Sequence, residues 1–450
     1  MSYSKDLGNT NEQIQLKRTL NLVDLVAYGL AYISLVAALL TFGIVWDAAN
    51  GLISLAYLLG AICIYFTAKS YSTMAAIHPN AGSVYGYAKM ALGPFAGFLA
   101  GWLILLDYLL IPALIFILMA IGIQTLIPEV SRPTWILILV TFTFLINWRG
   151  IQVSTKISLS SVVVQILIVL GIIIFSYKAL HSGAGAGSVT LDPLYNAQNF
   201  NFSNIFTATS ICIISFLGFD AITTLSEEVK GDSTKLIGKA VMIVLLISAF
   251  SFIITTLFVG NLMVGFSIKD PSAAIYEILQ NQIGGWSSIT FAWLTAVFVS
   301  FTNALPMQAG VARVLFAMGR NKQLPSSLGY IHPKRKIPHI AMIVSTLVSL
   351  GIALLMQNKV DILALFVSFG ALAGFLMLHI SVLVHLGIKN KNRKIYPHII
   401  VPILGIIVVL ALFYSMHHDA IILGIIWTLV GIFYGLYLQK KDKINIVVAE

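Results

Sequence analysis

Two aspartates stand where carboxylates are expensive. Asp220 lies in "IISFLGFDAITTLSEE" (213–228), two residues after Gly218 and at the end of an apolar run that begins at Ile205. Asp107 lies in the equally apolar "LILLDYLLIP". A charge near the centre of a bilayer costs at least ~2.5–3.5 kcal/mol on insertion scales, so such a carboxylate faces a cavity or a partner. No Lys or Arg is expected deep in any span, so the partner is sought outside the chain: a cationic ligand, a proton or a metal ion. The plainer explanation is a packing carboxyl, protonated or bonded to nearby backbone. It is weaker for Asp220, because an unwound segment at Gly218 supplies free carbonyls and local space. Carbonyls and a carboxylate together suit an ammonium group with its three donors. Tyr28 and Tyr32 of span one, Tyr108 beside Asp107, and Phe216 and Phe219 beside Asp220 could add cation–π contacts of ~0.5–2 kcal/mol each, though ordinary packing accounts for most of them.

The elements that position these residues must be membrane helices. Of the 450 residues 58% are hydrophobic and 10% charged, and the mean hydropathy is +0.93; a soluble domain carries roughly 25% charged residues. Apolar stretches long enough to cross ~30 Å of hydrocarbon recur along the chain. Twelve spans are expected, near residues 21–46, 51–75, 93–124, 134–148, 157–177, 204–224, 237–262, 286–308, 338–357, 360–386, 396–415 and 420–438. The formal charge of +10 points to topology rather than to nucleic acid. With alternating spans, only Arg132, Lys178, Lys269 and Lys359 of the 27 Lys and Arg fall outside, leaving 23 on the inner side. That bias puts both termini in the cytoplasm. Asp24, at the start of span one, belongs to the interface.

The first twenty residues are polar and carry no cleavable signal pattern. Cys63 and Cys212 fall inside spans without metal-ligand spacing and read as small packing residues. The stretch "DPSAAIYEILQNQIGG" in the loop after span seven reads as a short capped helix. Spans one and six have odd interiors at corresponding places, "YGLAYISL" around Gly29 and "SFLGFDAIT" around Gly218. They are five spans apart, so a repeated five-span unit would be inverted, and paired glycine-interrupted spans mark the midplane site of such a repeat. Gly93, Gly97 and Gly101 in span three are better explained as small residues that permit close helix packing.

Four ordered motifs then carry a resemblance over residues 18–439: "PNAGSVYGYAKMALGPFAGFLAGW", "NWRGIQVSTKI", "FLGFDAITTLSEEVKGDSTKLIGKA" and "GVARVLFAMGRNKQLP". In order and spacing they resemble the amino acid–polyamine–organocation permeases. With "LLDYLL" and "GYIHPKRKIP" added, the chain looks most like the bacterial putrescine importers. The resemblance implies an all-α membrane protein with 12 transmembrane helices. Its fold would be a LeuT-like five-plus-five inverted repeat with discontinuous spans one and six, plus two extra helices. The expected division is a cytoplasmic segment 1–20, a transport core 21–390 built of repeats 21–178 and 204–390, accessory helices 391–439 and a cytoplasmic tail 440–450. Amino acid carriers of the family often have a "GSG"-like stretch in span one whose amides hold the substrate carboxylate. Here that place reads Ile33, Ser34, Leu35, which fits a diamine with no carboxylate. The acidic residue of span six in polyamine carriers aligns with Asp220, which takes the role of amine recognition; Asp107 is a candidate for the second ammonium. The expected substrate site is Asp220, Gly218, Phe216, Phe219, Ser215, Asp107, Tyr108, Gly29, Tyr32 and Ser34. Coupling candidates are Asp220, Asp107 and Gln165, the last standing where some proton-coupled relatives have a lysine that replaces a sodium ion.

Histidines add little: His78 and His332 fall in inside loops, His417 and His418 in an outside one, and His379 and His385 in the inner half of span ten. His379 is the one worth testing as a proton carrier. No phosphate-binding loop or metal-protease motif is present, so an enzyme is not expected. Glu227 and Glu228 follow span six at the inner face, where Lys230, Lys235 or the basic loop after span eight would pair with them and latch an inner gate. The expectation is therefore an importer of putrescine or a related organic cation in a bacterial cytoplasmic membrane, driven by proton and membrane potential. It would need no cofactor or metal, bind no nucleic acid, and be a monomer or weak homo-oligomer. A neutral or cationic amino acid permease is the alternative, and a transporter-like channel or sensor a distant one.

Overall fold

The computed structural model describes residues 16–79, 82–271, 273–416 and 418–440; the first fifteen residues of the expected cytoplasmic segment, the tail from 441 and His417 lie outside them. Among the described residues all regular structure is helical, apart from an isolated bridge between Leu20 and Val229. Eleven helices among the described residues are long and apolar enough to cross a membrane. The remaining expected span, the fourth, is Arg132–Trp148, an apolar helix of 17 residues packed against spans three, eight and nine. Side chains such as Phe142, Leu167, Phe250, Leu355 and Phe433 point outward and are exposed, as expected of surfaces that meet lipid.

Span one begins at Leu22 under a reciprocal cap: the Asn21 side chain accepts from the amides of Val23 and Asp24, and the Asp24 carboxylate accepts from the Asn21 amide. Such a capping box satisfies two orphan donors at a helix start, so Asp24 is a cap. The helix stops at Ile33, and Ser34 takes φ 68° and ψ 117°. Helix resumes at Ala37–Leu40 and, beyond Thr41, at Phe42–Ala48. The break is thus at Ser34 and not at Gly29, which lies within the first half-helix. A Cβ on Gly29 would come within 2.6 Å of Ile222 Cδ1; the glycine serves close approach of spans one and six.

Span six breaks where expected. Phe202–Ile214 is α-helical, residues 215–218 form a turn, Gly218 sits at φ 114°, and Phe219–Glu228 continues as a 3₁₀ helix. Runs of 3₁₀ helix beyond three or four residues are uncommon because the hydrogen bonds are poorly aligned. Here side chains reinforce them: Thr223 Oγ1 donates to the Asp220 carbonyl at 2.6 Å, Thr224 Oγ1 to the Ala221 carbonyl at 2.7 Å, and Ser226 Oγ to the Thr223 carbonyl.

Span eight runs past its expected end at 308. Gly285–Trp293, a wider π-helical turn at Leu294–Val299 and Ser300–Arg320 form one continuous unit. Arg313 is therefore inside a helix and buried, which corrects the expectation that no basic residue lies deep in a span. It forms an ion pair with buried Glu228, while Arg320 grips Glu227 in a two-pronged pair at 2.6 and 2.8 Å. Lys235 pairs with Asp232 instead, at 3.3 Å. The backbone adds a further tie at this end: Thr19 and Leu20 amides donate to the Glu228 carbonyl, and Lys230 donates to the Leu20 carbonyl.

Of the three span-three glycines, Gly97 and Gly101 face close neighbours, Lys89 and Met318, whereas Gly93 has φ 102° and open space. Gly93 makes the turn between helix Val84–Leu92 and span three rather than a packing contact. The loop segment expected as a capped helix is Ala274–Ile278 followed by a π-helical turn; no side chain caps its start, and Glu277 instead accepts from the amides of Lys269 and Asp270. Span twelve is fastened to span three by Trp102 and Trp427. Their rings stack 4.5 Å apart, and each indole N–H donates to the other's carbonyl at 3.0 Å.

Candidate functional site

The 3₁₀ half of span six turns Asp220 into the protein interior, where it is 1% exposed. Its Oδ2 accepts from Tyr108 of span three at 2.5 Å and, more weakly, from Tyr71 of span two at 3.4 Å. Among the described residues Arg313 is the one buried Lys or Arg, and Glu228 pairs with it. Asp220 is thus held by neutral donors. Hydroxyls orient a carboxylate without cancelling its charge, and they leave lone pairs for another donor.

Asp107, one residue before Tyr108, is 4% exposed, and its Oδ1 is buried without a hydrogen-bond partner. The two carboxylates lie within electrostatic range of one another, and Tyr32 lies within range of both. Tyr32 also covers the span-six break: a Cβ on Gly218 would sit 1.9 Å from its ring. Span ten closes the wall, since a Cβ on Gly370 would meet the Asp107 amide at 2.5 Å. Asp220, Asp107, Tyr108, Tyr32 and Gly218 therefore form one constellation from spans one, three and six.

Other expected residues lie beside it. Phe219 packs edge-on against Tyr71 and tilted against Phe375, forming an aromatic flank of the carboxylate. Phe216 and Ser215 turn to a different cluster: Phe216 packs on Tyr57 and Phe252, and Ser215 Oγ meets the Tyr57 hydroxyl at 3.2 Å. Tyr28 donates to the Pro306 carbonyl at 2.7 Å, which ties span one to span eight.

The break in span one is satisfied by side chains from three spans. Gln165 of span five accepts from the Leu35 amide at 2.7 Å, and Ser251 of span seven donates to the Leu35 carbonyl at 3.0 Å. The side-chain amide of Asn303 of span eight lies against the Ala31 carbonyl. Helices that stop leave such groups without partners. The Ser34 hydroxyl itself is buried and unpartnered.

Sequence reasoning missed Tyr71, Ser251 and Asn303. Tyr71 carried a usable signal: in "AKSYSTMAA" it is a phenol embedded among small residues of an apolar span. Cys63 and Cys212 are free thiols, and among the described residues no group of His, Cys, Asp or Glu could hold a metal. His379 is buried between the Thr67 and Ser70 hydroxyls, at 3.1 and 3.0 Å. A Cβ on Gly405 would come within 2.0 Å of its ring, so the imidazole wedges spans two, ten and eleven together.

Comparison with known proteins agrees with this architecture. Residues 26–444 match the amino acid permease family model. The chain is 31% identical over 447 residues to the low-affinity putrescine importer PlaP of Escherichia coli (strain K12), covering 98% of each. It is 26% identical to the branched-chain amino acid permease BcaP and 26% to the methylthioribose transporter, both of Bacillus subtilis (strain 168), covering 98% of this chain and 97% of each. With a family model matched over residues 26–444 and a 31% identical importer covered to 98%, the chain is a multi-pass membrane transporter and belongs to the amino acid permease family.

Proposed function

We propose that the protein imports putrescine or a closely related organic dication by alternating access. The observation that carries this reading is the pair of buried carboxylates, Asp220 and Asp107, with no basic side chain to neutralise either among the described residues. One ammonium binds Asp220 between the broken spans one and six, and the second binds Asp107. Tyr108 and Tyr71 orient Asp220, while Tyr32, Phe219 and Gly218 line the amine, and Gly29 and Ser34 shape the span-one side. The 31% identity to a putrescine importer supports the substrate class.

The frame for this cycle is an inverted repeat, residues 21–178 and 204–390, with accessory helices over 391–439 and both termini in the cytoplasm. An inward-directed potential favours entry by ~2.3 kcal/mol per charge per 100 mV, and a dication gains about twice that. A proton on Asp220 or Asp107 supplies further coupling when the substrate leaves.

Uptake of labelled putrescine into proteoliposomes tests the proposal. Saturable uptake that responds to an imposed potential, resists excess alanine or serine and shows counter-flow is expected. Asp107→Asn should weaken putrescine much more than n-butylamine, which has one ammonium. An Asp220→Asn variant with full uptake, or rates near diffusion without counter-flow, would sink the reading. A second reading, a permease for zwitterionic amino acids, is favoured by the similarity to a branched-chain amino acid permease; strong competition by alanine would support it.

A further inference from the structure

The broken stretch of span one, like the break in span six, can offer backbone donors to a substrate, and three of its amides have partners. Ser34 N–H donates to the Leu30 carbonyl at 2.9 Å and Ala37 N–H to the Ser34 carbonyl at 3.1 Å. Both are satisfied within the segment. Leu35 N–H is different: its partner is Gln165 Oε1, from span five, at 2.7 Å. Gln165 is fully buried, and its Nε2 donates to Ser161 Oγ at 3.0 Å. Ser161 is in turn bonded to Thr302 of span eight.

We infer that Gln165 is a specificity-determining residue that excludes carboxylate-bearing substrates by occupying the Leu35 amide. The inference rests on the diamine reading above and extends it to the side of the site that has no carboxylate. Interrupted helices present amide donors and the positive end of a half-helix, which attract anionic groups. A side-chain carbonyl removes that donor without adding charge. A zwitterion would have to displace Gln165 and leave its Oε1 buried without a donor, a cost that a diamine does not incur. The remaining side-chain donor at the break is the unpartnered Ser34 hydroxyl. A single neutral hydroxyl is a weaker carboxylate ligand than paired amides. The Ser161–Thr302 pair holds the Gln165 amide in this orientation, so the exclusion is shared by three spans.

The experiment measures displacement of labelled putrescine from the purified full-length protein by alanine and by n-propylamine. Gln165→Ala and Gln165→Leu release the Leu35 amide. Their ratio of alanine to propylamine affinity should rise about tenfold, the scale of one hydrogen bond to a charged group. Gln165→Glu keeps an acceptor on Leu35 and adds a negative charge, so its ratio should not rise above the wild-type value. Should the first two fail to fold, Ser161→Ala, which only loosens Gln165, should move the ratio the same way by less. Folded Gln165→Ala, Gln165→Leu or Ser161→Ala with an unchanged ratio, or equal gains for alanine and propylamine, would overturn the inference. Wild-type protein that binds alanine and ignores putrescine would instead overturn the diamine reading on which it stands.

Discussion

The hydroxyl of Tyr108 donates to Asp220 Oδ2 at 2.5 Å, joining the carboxylate of a broken helix to the neighbour of a second buried carboxylate. The bond sets where Asp220 points without neutralising it. Tyr108→Phe should therefore weaken putrescine binding about tenfold or more, since a hydrogen bond to a charged group is worth roughly 1.5–3 kcal/mol. Tyr71→Phe should cost less, because its bond is 3.4 Å long. Asp220→Asn should reduce affinity by about a hundredfold, the scale of truncating one side of a buried charge pair at ~2–5 kcal/mol. Equilibrium binding to the three purified variants gives the order; an equal or larger loss from Tyr71→Phe would contradict the geometry.

Gly218 and Tyr32 define the second relationship. At φ 114° an L side chain is strained, and the Tyr32 ring lies where its Cβ would be. Gly218→Ala should lower the thermal midpoint by several degrees and abolish uptake. Adding Tyr32→Ala removes the clash but not the backbone strain, so the double variant should recover part of the stability. A double-mutant cycle separates the two contributions; strict additivity would mean that the ring does not restrain the break.

Much of this was legible from residue types alone. Asp220 beside Gly218 announced itself because a carboxylate and a helix-weakening glycine inside one apolar run are each unusual. The Ser34 break was legible only through the resemblance, which pointed to Ile33, Ser34 and Leu35; residue types alone do not show it, since its positive φ belongs to a residue that ordinarily avoids it. It is held by Gln165 and Ser251, which arrive from positions 130 and 216 residues away. Such strain persists only where the surroundings over-determine it, and tertiary partners leave no local pattern. Arg313 was misplaced for a related reason: hydropathy falls after residue 308, but pairing with Glu228 lets an arginine stay buried within the helix. Tyr71 went unremarked because its carboxylate partner lies 149 positions later.

The two ion pairs that join the Glu228 end of span six to span eight should behave unequally. Glu228 and Arg313 are 2% and 4% exposed at their side chains, whereas Glu227 and Arg320 are 24% and 41% exposed. Arg313→Ala leaves a buried carboxylate unpaired, costing about 3–5 kcal/mol; Arg320→Ala breaks a screened pair, costing at most about 1 kcal/mol. Glu228→Gln with Arg313→Met should destabilise less than Arg313→Ala alone. Thermal unfolding reads these differences. If the pairs also latch that end, cysteines introduced near Val229 should become more reactive towards a water-soluble thiol reagent in Arg313→Ala than in wild type. Unchanged reactivity would leave the pairs a purely structural role.

Trp102 and Trp427 provide the contrasting case, a contact that should matter for stability and not for substrate. Their reciprocal N–H to carbonyl bonds fasten span twelve to span three, and a Cβ on Gly431 would meet the Trp102 ring at 2.3 Å. Trp427→Phe keeps an aromatic face but loses one donor, at a net cost of about 0.5–1.5 kcal/mol. Gly431→Ala forces the two helices apart where packing of small residues holds them together in lipid. Both variants should lower the thermal midpoint in detergent, with Gly431→Ala the larger effect. Their KM for putrescine should stay unchanged on the proposed division, in which helices over 391–439 support the transport core without lining its site. A raised KM with an unchanged midpoint would place span twelve inside the transport cycle and remove the division between core and accessory helices. Span three is the reason this test discriminates: the same helix carries Trp102 at one level and Asp107 and Tyr108 about a turn and a half further on. A disturbance at Trp102 reaches the carboxylates only if span three moves as a rigid unit.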